Sequence, residues 1–504
     1  MLAAILLSAA LAAPTTAELQ TVAALPGEPS IVAAAALTAD DAPILTLENR
    51  TAFDASSARK RAVVFGTSDA TASVVLGMVR WFKSDPAAAA LRDRWELSAL
   101  PLAAFDPADA KGVAITRWIT FQAPDAVIEV DDGGAHPIGP GGVTVANWVI
   151  RLPADAAAIG GTLRAAATTP PRGIDRSPHD VIRARVAREP IAIATVLARR
   201  YPETPSISYI PSVAWTNTLK LAAITGDESL AQKVRAQIAK WMTGGEPLFG
   251  NRIQLTSVAG TMVFADLGGE AMPKALEGAK LAAARKADGI AEYGQGWTDD
   301  MFMASAILAR VGKQPDHRDA LDAAAQLLID YAARLQRSDG IFIHATDGPF
   351  AWGRGNGFAA LGLIEALTAL PENHPRRALL LTIYRRHMTA LKDQQSPDGA
   401  WREVVDEPGA YREETATAML LTAMARGIRL GWLDQTFTPT VERAWLALAA
   451  HVADDGTVID VCTGTGVGPT KRYYLDRAAI IGADDRGGAM ALLAAMEMRE
   501  LRRR

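Results

Sequence analysis

From about Arg188 onward, helical segments follow one another with only short Gly, Pro or Asp breaks. Ala, Leu and Arg dominate this stretch, and apolar positions recur at helical spacing. Twelve helices are predicted, near Ile191–Arg200, Ser212–Ile224, Glu228–Trp241, Thr256–Leu267, Pro273–Arg285, Asp299–Val311, Asp319–Arg337, Gly357–Leu370, Arg376–Gln394, Glu414–Leu430, Thr438–His451 and Asp485–Arg502. A helix pair cannot bury its apolar face alone and has to pack on its neighbours. Residues 189–504 are therefore expected to form an α/α barrel or toroid. In such a ring, the loops at one end present backbone and side chains that the packed helices cannot.

The chain before this point reads differently. Residues 18 to about 58 are rich in Ala and Pro without a strong period. Then short apolar runs alternate with a helical stretch: strands at Arg61–Gly66, Trp95–Pro101, Val127–Val130 and Val143–Ile150, and a helix at Thr71–Phe82. That alternation predicts an ancillary α/β domain over residues 18–188. Pro170–Gly173 reads as a linker. At the start, Leu2–Ala13 is almost wholly apolar and Thr15-Thr16-Ala17 offers a cleavage site, so residues 1–17 read as a signal peptide and the protein as periplasmic or secreted. No Lys or Arg precedes Arg50, so the basic flank usual for such a leader is missing.

Composition excludes several classes. The net charge is −4 over 504 residues, which is no footprint for nucleic acid. Cys462 is the single cysteine, so an intrachain disulfide or a paired-Cys zinc site is ruled out. No internal apolar run reaches about 18 residues, so no membrane span is expected. The histidines lack paired metal spacing, and neither a metal nor an organic cofactor is expected. His317, His374 and His387 fall on charged helical faces and are expected to be exposed.

Five loop-to-helix junctions concentrate Trp, Tyr, Gly and charge: Trp215-Thr216-Asn217, Gly294 to Met303, His344 with Trp352 to Phe358, Asp398 to Glu403 leading to Tyr411–Thr415, and Tyr473 to Arg477. Aromatic faces beside carboxylates and guanidinium groups suit a sugar, with rings against C–H faces and charged groups on hydroxyls and carboxylates. Plainer readings stand beside this one. Asp299-Asp300 also reads as a helix cap and first-turn acid, Trp352 and Trp401 as core aromatics, and Arg354 as a surface ion pair.

Taken together, the segments GQGWTDDMFMASAILAR, WGRGNGFAALGLIEAL, DGAWREVVD, YREETATAMLLTAMARGIRLGWL and YYLDRAAIIGADDRGGAMALLAAME resemble the unsaturated uronyl hydrolases of glycoside hydrolase families 88 and 105. The resemblance spans Trp215 to Glu500 and implies an (α/α)6 barrel acting on uronic-acid oligosaccharides. It makes Asp299, in the W-x-D-x-x-x-M segment, the general acid/base. It makes His344 and Arg354 substrate-facing, puts Phe358 where the family has Trp, and matches Glu413 or Glu414 to the family Glu. Trp215, Trp297, Asp300, Trp352, Asn356, Trp401 and Arg477 complete the expected substrate-binding set. Burial among the aromatic residues is expected to keep Asp299 partly protonated.

The sequence also departs from that pattern. The segment that should hold a second Asp, Gln254 to Gly260, has none, so Asp300, Asp288 or Glu292 would have to compensate. Upstream, the order of strands and helix faintly resembles a zinc-carboxypeptidase-like domain in which Ser68, Thr71 and Asp131 replace the metal ligands, so no zinc is expected there. The expected reaction is hydration of a 4,5-unsaturated uronyl residue at a non-reducing end. The alternatives are a two-carboxylate exo-glucuronidase and a non-catalytic oligosaccharide-binding protein.

Overall fold

The computed structural model describes residues 14–28, 30–49, 53–54, 57–101, 110–131, 133, 149–153, 156–168 and 178–503. The leader up to Ala13, the Pro170–Gly173 linker and most of the Val143–Ile150 run lie outside the described residues. The chain divides into two compact units. One comprises residues 1–187 with 396–398 and 407–411, and the other the remainder.

The first unit is α/β. Its strands are β1 (Ser30–Leu37), β2 (Pro43–Asn49), β3 (Lys60–Gly66), β4 (Trp95–Leu100), β5 (Ala126–Asp131) and β6 (Val149–Pro153), in the sheet order β1-β2-β4-β3-β5-β6. The β4-β3-β5-β6 half is parallel, and β1 and β2 join it antiparallel. Its helices are α1 (Thr16–Ala23), α2 (Asp69–Ser84), α3 (Ala110–Gln122), α4 (Ala156–Thr168) and α5 (Pro178–Val186). A sheet covered on both faces needs strands apolar at every position. Accordingly, Ala62 and Val64 pack with Val75, Val79 and Phe82 of α2, while Val63 and Phe65 pack with Ile115, Trp118 and Ile119 of α3. The Ala-rich stretch that carries no clear period in the sequence supplies α1, β1 and β2. Its alanines Ala34 to Ala36 are almost fully buried.

Ser68 and Thr71 form the capping box of α2, where Ser68 Oγ accepts from Thr71 N at 3.3 Å and Thr71 Oγ1 accepts from Ser68 N at 2.9 Å. No metal-binding group of His, Cys, Asp or Glu occurs among the described residues.

The second unit is helical. Its elements are α6 (Pro190–Arg200), α7 (Tyr209–Thr225), α8 (Glu228–Met242), α9 (Leu255–Ala259), α10 (Met262–Leu267), α11 (Met272–Ala283), α12 (Thr298–Val311), α13 (Asp319–Leu335), α14 (Gly353–Ala369), α15 (Arg377–Asp393), α16 (Glu414–Arg429), α17 (Thr438–His451), α18 (Lys471–Leu475) and α19 (Asp485–Arg502), with a small hairpin of β7 (Val458–Cys462) and β8 (Ala479–Gly482). Helices α7, α9 with α10, α12, α14, α16 and α19 adjoin in that order, and α19 returns to α7 to close an inner ring. Helices α6, α8, α11, α13, α15 and α17 alternate with these and pack outside them.

The inner helices are buried almost all round, as a ring covered on both sides requires. Close approach is built in: a Cβ on Gly362 of α14 would meet the Met301 carbonyl of α12 at 2.5 Å. The sequence segment Thr256–Leu267, expected as one helix, is two short ones interrupted at Gly260-Thr261. No helix among the described residues is long and apolar enough to cross a membrane.

Candidate active site

The first turns of the inner helices meet at one end of the ring. There a cavity of about 310 Å³ lies between two walls. One wall is the segment Arg252–Thr256 leading into α9, and the other carries Trp297, Asp299, Asp300 and Met303. Tyr293, Gly294 and Gln295 join the two.

Helix α12 places the acids. It starts after Trp297, which makes no side-chain cap bond, so the Asp299 carboxylate is not consumed by the helix start. Its side chain is 15% exposed, and its Oδ2 lies 3.2 Å from Nε2 of the buried His344. On the other side of that ring, Nδ1 is 3.0 Å from the Tyr474 hydroxyl of α18. The Gly468 N–H donates to this hydroxyl at 3.3 Å, so the hydroxyl turns its own proton toward Nδ1. Nε2 then carries the ring proton and donates to Asp299. Trp297 at 5.3 Å and Trp352 at 4.4 Å fix the plane of the imidazole.

Asp300 has the opposite setting. It is 3% exposed, and its Oδ2 accepts from Gln295 N at 2.9 Å, Gly296 N at 2.7 Å and the Tyr331 hydroxyl at 2.8 Å. Burial pushes its carboxyl up to about 6 against the pull of these donors, and the nearby Asp299 charge adds to the rise. Gly294 makes the fit possible, because a Cβ there would meet Asp300 Oδ2 at 2.5 Å. Asp300 is thus the more deeply enclosed of the two acids.

Several expected ligand-binding residues turn out to hold the scaffold. Arg354 is 3% exposed and spends both Nη groups on the carbonyls of Cys462 and Thr463, each at 2.6 Å, so it offers no free fork for a carboxylate. Glu413 caps α16 through Thr415 N and Ala416 N and also accepts from Cys462 N at 3.0 Å. Glu414 is buried, with His451 Nδ1 3.8 Å away. Asn356 is a latch, exchanging bonds of 2.9 Å with the backbone of Phe342.

The aromatic residues show the same pattern. Trp215 is buried against Trp241 and donates to Gln237, and Trp401 is buried and donates to the Leu391 carbonyl. Phe358 stacks on Phe302 inside the ring. Trp352 is buried and donates to Glu403, whose carboxyl is pushed up to about 8 by burial and by Glu413. Arg477 is half-buried and holds Thr463 and Gly464.

Neither Asp288 nor Glu292 reaches the cavity; both are exposed on the loop before it. His387, expected at the surface, is fully buried between the carbonyls of Gly340 and Asn356, and burial pushes it down to about 4. Its helix α15 lies outside the ring, and the face it turns inward is the one carrying this His. Of the expected set, then, Trp297, Asp299 and Asp300 line the cavity and His344 backs Asp299. Arg252 and Tyr293 also line it and carry no motif that could have marked them, whereas Gln254 opens the segment in which the second Asp is missing, and Gln295 and Met303 belong to the Gly294–Met303 junction. Tyr474 sits in a junction that the sequence does mark, but its partnership with His344 joins residues 130 positions apart.

Two curated relatives share part of the chain. The unsaturated rhamnogalacturonyl hydrolase YesR of Bacillus subtilis is 27% identical over 36% of this chain and 53% of its own length. An unsaturated 3S-rhamnoglycuronyl hydrolase of an Alteromonas species is 32% identical over 32% of this chain and 42% of its own. The chain thus spans about half the length of the curated relatives it matches. Among solved structures, a possible member of the GH105 family from Salmonella enterica superposes with a TM-score of 0.56 at 18% identity, covering 66% of this chain and 96% of that one, which shows a shared fold. The family model for Glycosyl Hydrolase Family 88 matches residues 193–502, more than half of the chain and all of the inner ring, and the protein belongs to that family.

Proposed function

We propose that the protein hydrates a 4,5-unsaturated uronyl residue at the non-reducing end of an oligosaccharide. The observation that carries this reading is the setting of Asp299, an accessible carboxylate on the cavity wall with a buried His344 behind it. In its acid form, Asp299 gives a proton to C4 of the enol ether. As the carboxylate, it takes a proton from the water that attacks C5, so the acid is regenerated. The C5 hemiketal opens to a ketone, and the hemiacetal left at C1 releases the remaining sugar as an alcohol. His344 orients Asp299 throughout. Family membership and the names of the curated relatives support the substrate class.

A second reading is an exo-glucuronidase acting on saturated uronides, for which the observation is that two carboxylates, Asp299 and Asp300, line one cavity. One experiment separates the readings. The protein is incubated with lyase-generated oligosaccharides and with their saturated counterparts. Loss of the enol absorbance with the first alone supports hydration. Release of glucuronate from the second supports the exo-glucuronidase, and binding without turnover leaves a sugar-binding protein. Export through the apolar leader Leu2–Ala13 belongs to the same proposal and is checked by sequencing the N-terminus of the mature protein.

A further inference from the structure

An oligosaccharide ending in a uronate brings a negative charge to a cavity that already contains Asp299 and Asp300. Like charges at this range repel, and the low-dielectric walls strengthen the effect. A cation on the wall would offset this repulsion. Arg354, the candidate from the sequence, is committed to the Cys462 and Thr463 carbonyls. Arg477 is committed to Thr463 and Gly464 and does not line the cavity. Among the described residues that line it, Arg252 alone is cationic. It is exposed, it lines the same cavity as the α12 acids, and no hydrogen bond or ion pair ties its guanidinium to another described residue. Gln254 and Thr256 beside it are polar and uncharged.

We propose that Arg252 is the residue that recognises the substrate's C6 carboxylate. The proposal rests on the reading of the cavity as a uronyl site and adds the group that selects for the charge. A guanidinium pairs with a carboxylate through two parallel N–H···O bonds, which fixes the plane of the sugar's C5–C6 bond as well as its charge. This bond is present both before and during proton transfer to C4. Its loss therefore weakens binding far more than it slows the chemical step, and Arg252 is a positioning residue with no proton to give.

The test compares an unsaturated uronyl disaccharide with its C6 methyl ester, which keeps the enol ether and loses the charge. The wild-type enzyme is expected to prefer the acid. Arg252→Gln is expected to raise KM for the acid by roughly ten- to a hundredfold, from the loss of a charge-assisted pair, with kcat little changed. The ester is expected to be almost unaffected, so the preference collapses. Arg252→Lys should recover part of it. An equal loss on acid and ester, or no loss on either, overturns the proposal.

If wild type turns over neither compound, the hydrolase reading fails and the role of Arg252 is decided by binding instead. Glucuronate and its methyl ester are then titrated against wild type and Arg252→Gln by NMR. Carboxylate-dependent binding that disappears in the variant supports the role, and binding that ignores either the carboxylate or the substitution ends it.

Discussion

Asp299 and Asp300 are adjacent in the chain and opposite in environment. Asp299 reaches the cavity with His344 as its partner, while Asp300 is sealed under three donors that converge on a single oxygen. Successive residues of a helix point about 100° apart, so one first turn serves both the solvent side and the interior.

Asp299→Asn is expected to cut turnover of an unsaturated uronide by about 10²–10⁴-fold or more, since an amide cannot exchange the proton. The fold should hold, with stability within about 0.5 kcal/mol, because the start of α12 takes no bond from this side chain. Enol absorbance and thermal melts read the two effects separately. Near-normal turnover would move the acid elsewhere.

Asp300→Asn tests the buried carboxyl through pH. The group titrates at about 6 in the folded protein against an ordinary 3.8, so the folded state holds the proton more tightly. The contribution of this group is therefore fullest below about pH 4 and is lost as the pH rises toward 6, after which its loss is complete. The variant carries no such proton. The difference between the two should open across this window to roughly 3 kcal/mol in favour of the variant, seen by denaturant titration at several pH values. A difference independent of pH would show that Asp300 is not the perturbed group.

Arg354→Lys is expected to loosen the segment after β7 rather than to weaken uronate binding. An ammonium cannot span two carbonyls as the fork does, and losing these bonds should cost about 1–3 kcal/mol. Limited proteolysis between Thr463 and Thr470, alongside KM, separates the two outcomes. A large rise in KM with unchanged stability would restore Arg354 as a substrate ligand.

The other end of the ring carries a ladder of ion pairs, from Asp266 to Arg310 to Glu365 to Arg426 to Glu497 to Arg429. Burial pushes the Glu365 carboxyl up, but Arg310, Arg426 and Lys220 outweigh it and hold the group well below the usual carboxylate range. Glu365→Gln leaves two enclosed guanidinium groups short of a partner. It should cost about 3–5 kcal/mol while leaving KM as it was, which melting curves and kinetics can check together.

Much of the fold is legible because burial writes itself into composition. The ring helices announce themselves by apolar periodicity, and β3 to β5 by short, largely apolar runs. The strand β1 is not legible, since Ala carries little strand preference and only the sheet around Ala34–Ala36 holds it extended. The site is legible as to which junctions matter and poorly legible as to what each residue does. Trp401 and Arg354 lie at the right end of the ring, yet a Trp or an Arg in a loop has the same appearance whether it faces a ligand or props a backbone carbonyl. Arg252 shows the converse, a plain residue that gains its meaning from the wall on which it stands.

The residues that meet at the cavity end come from the first turns of inner helices, and the residues of the ion-pair ladder come mainly from their later turns. The inner helices therefore run in the same direction, and their macrodipoles add instead of cancelling. Each contributes about half a positive charge at its start and half a negative charge at its end. At the mouth the helix starts offset the carboxylates they carry, Asp299 and Asp300 in the first turn of α12, Glu413 at the cap of α16 and Asp484 at the cap of α19. The far end needs the cations Arg310, Arg426 and Arg429 for the mirror-image reason. The backbone itself thus acts as a fixed electrode, positive where an acidic sugar would enter, before any side chain is chosen.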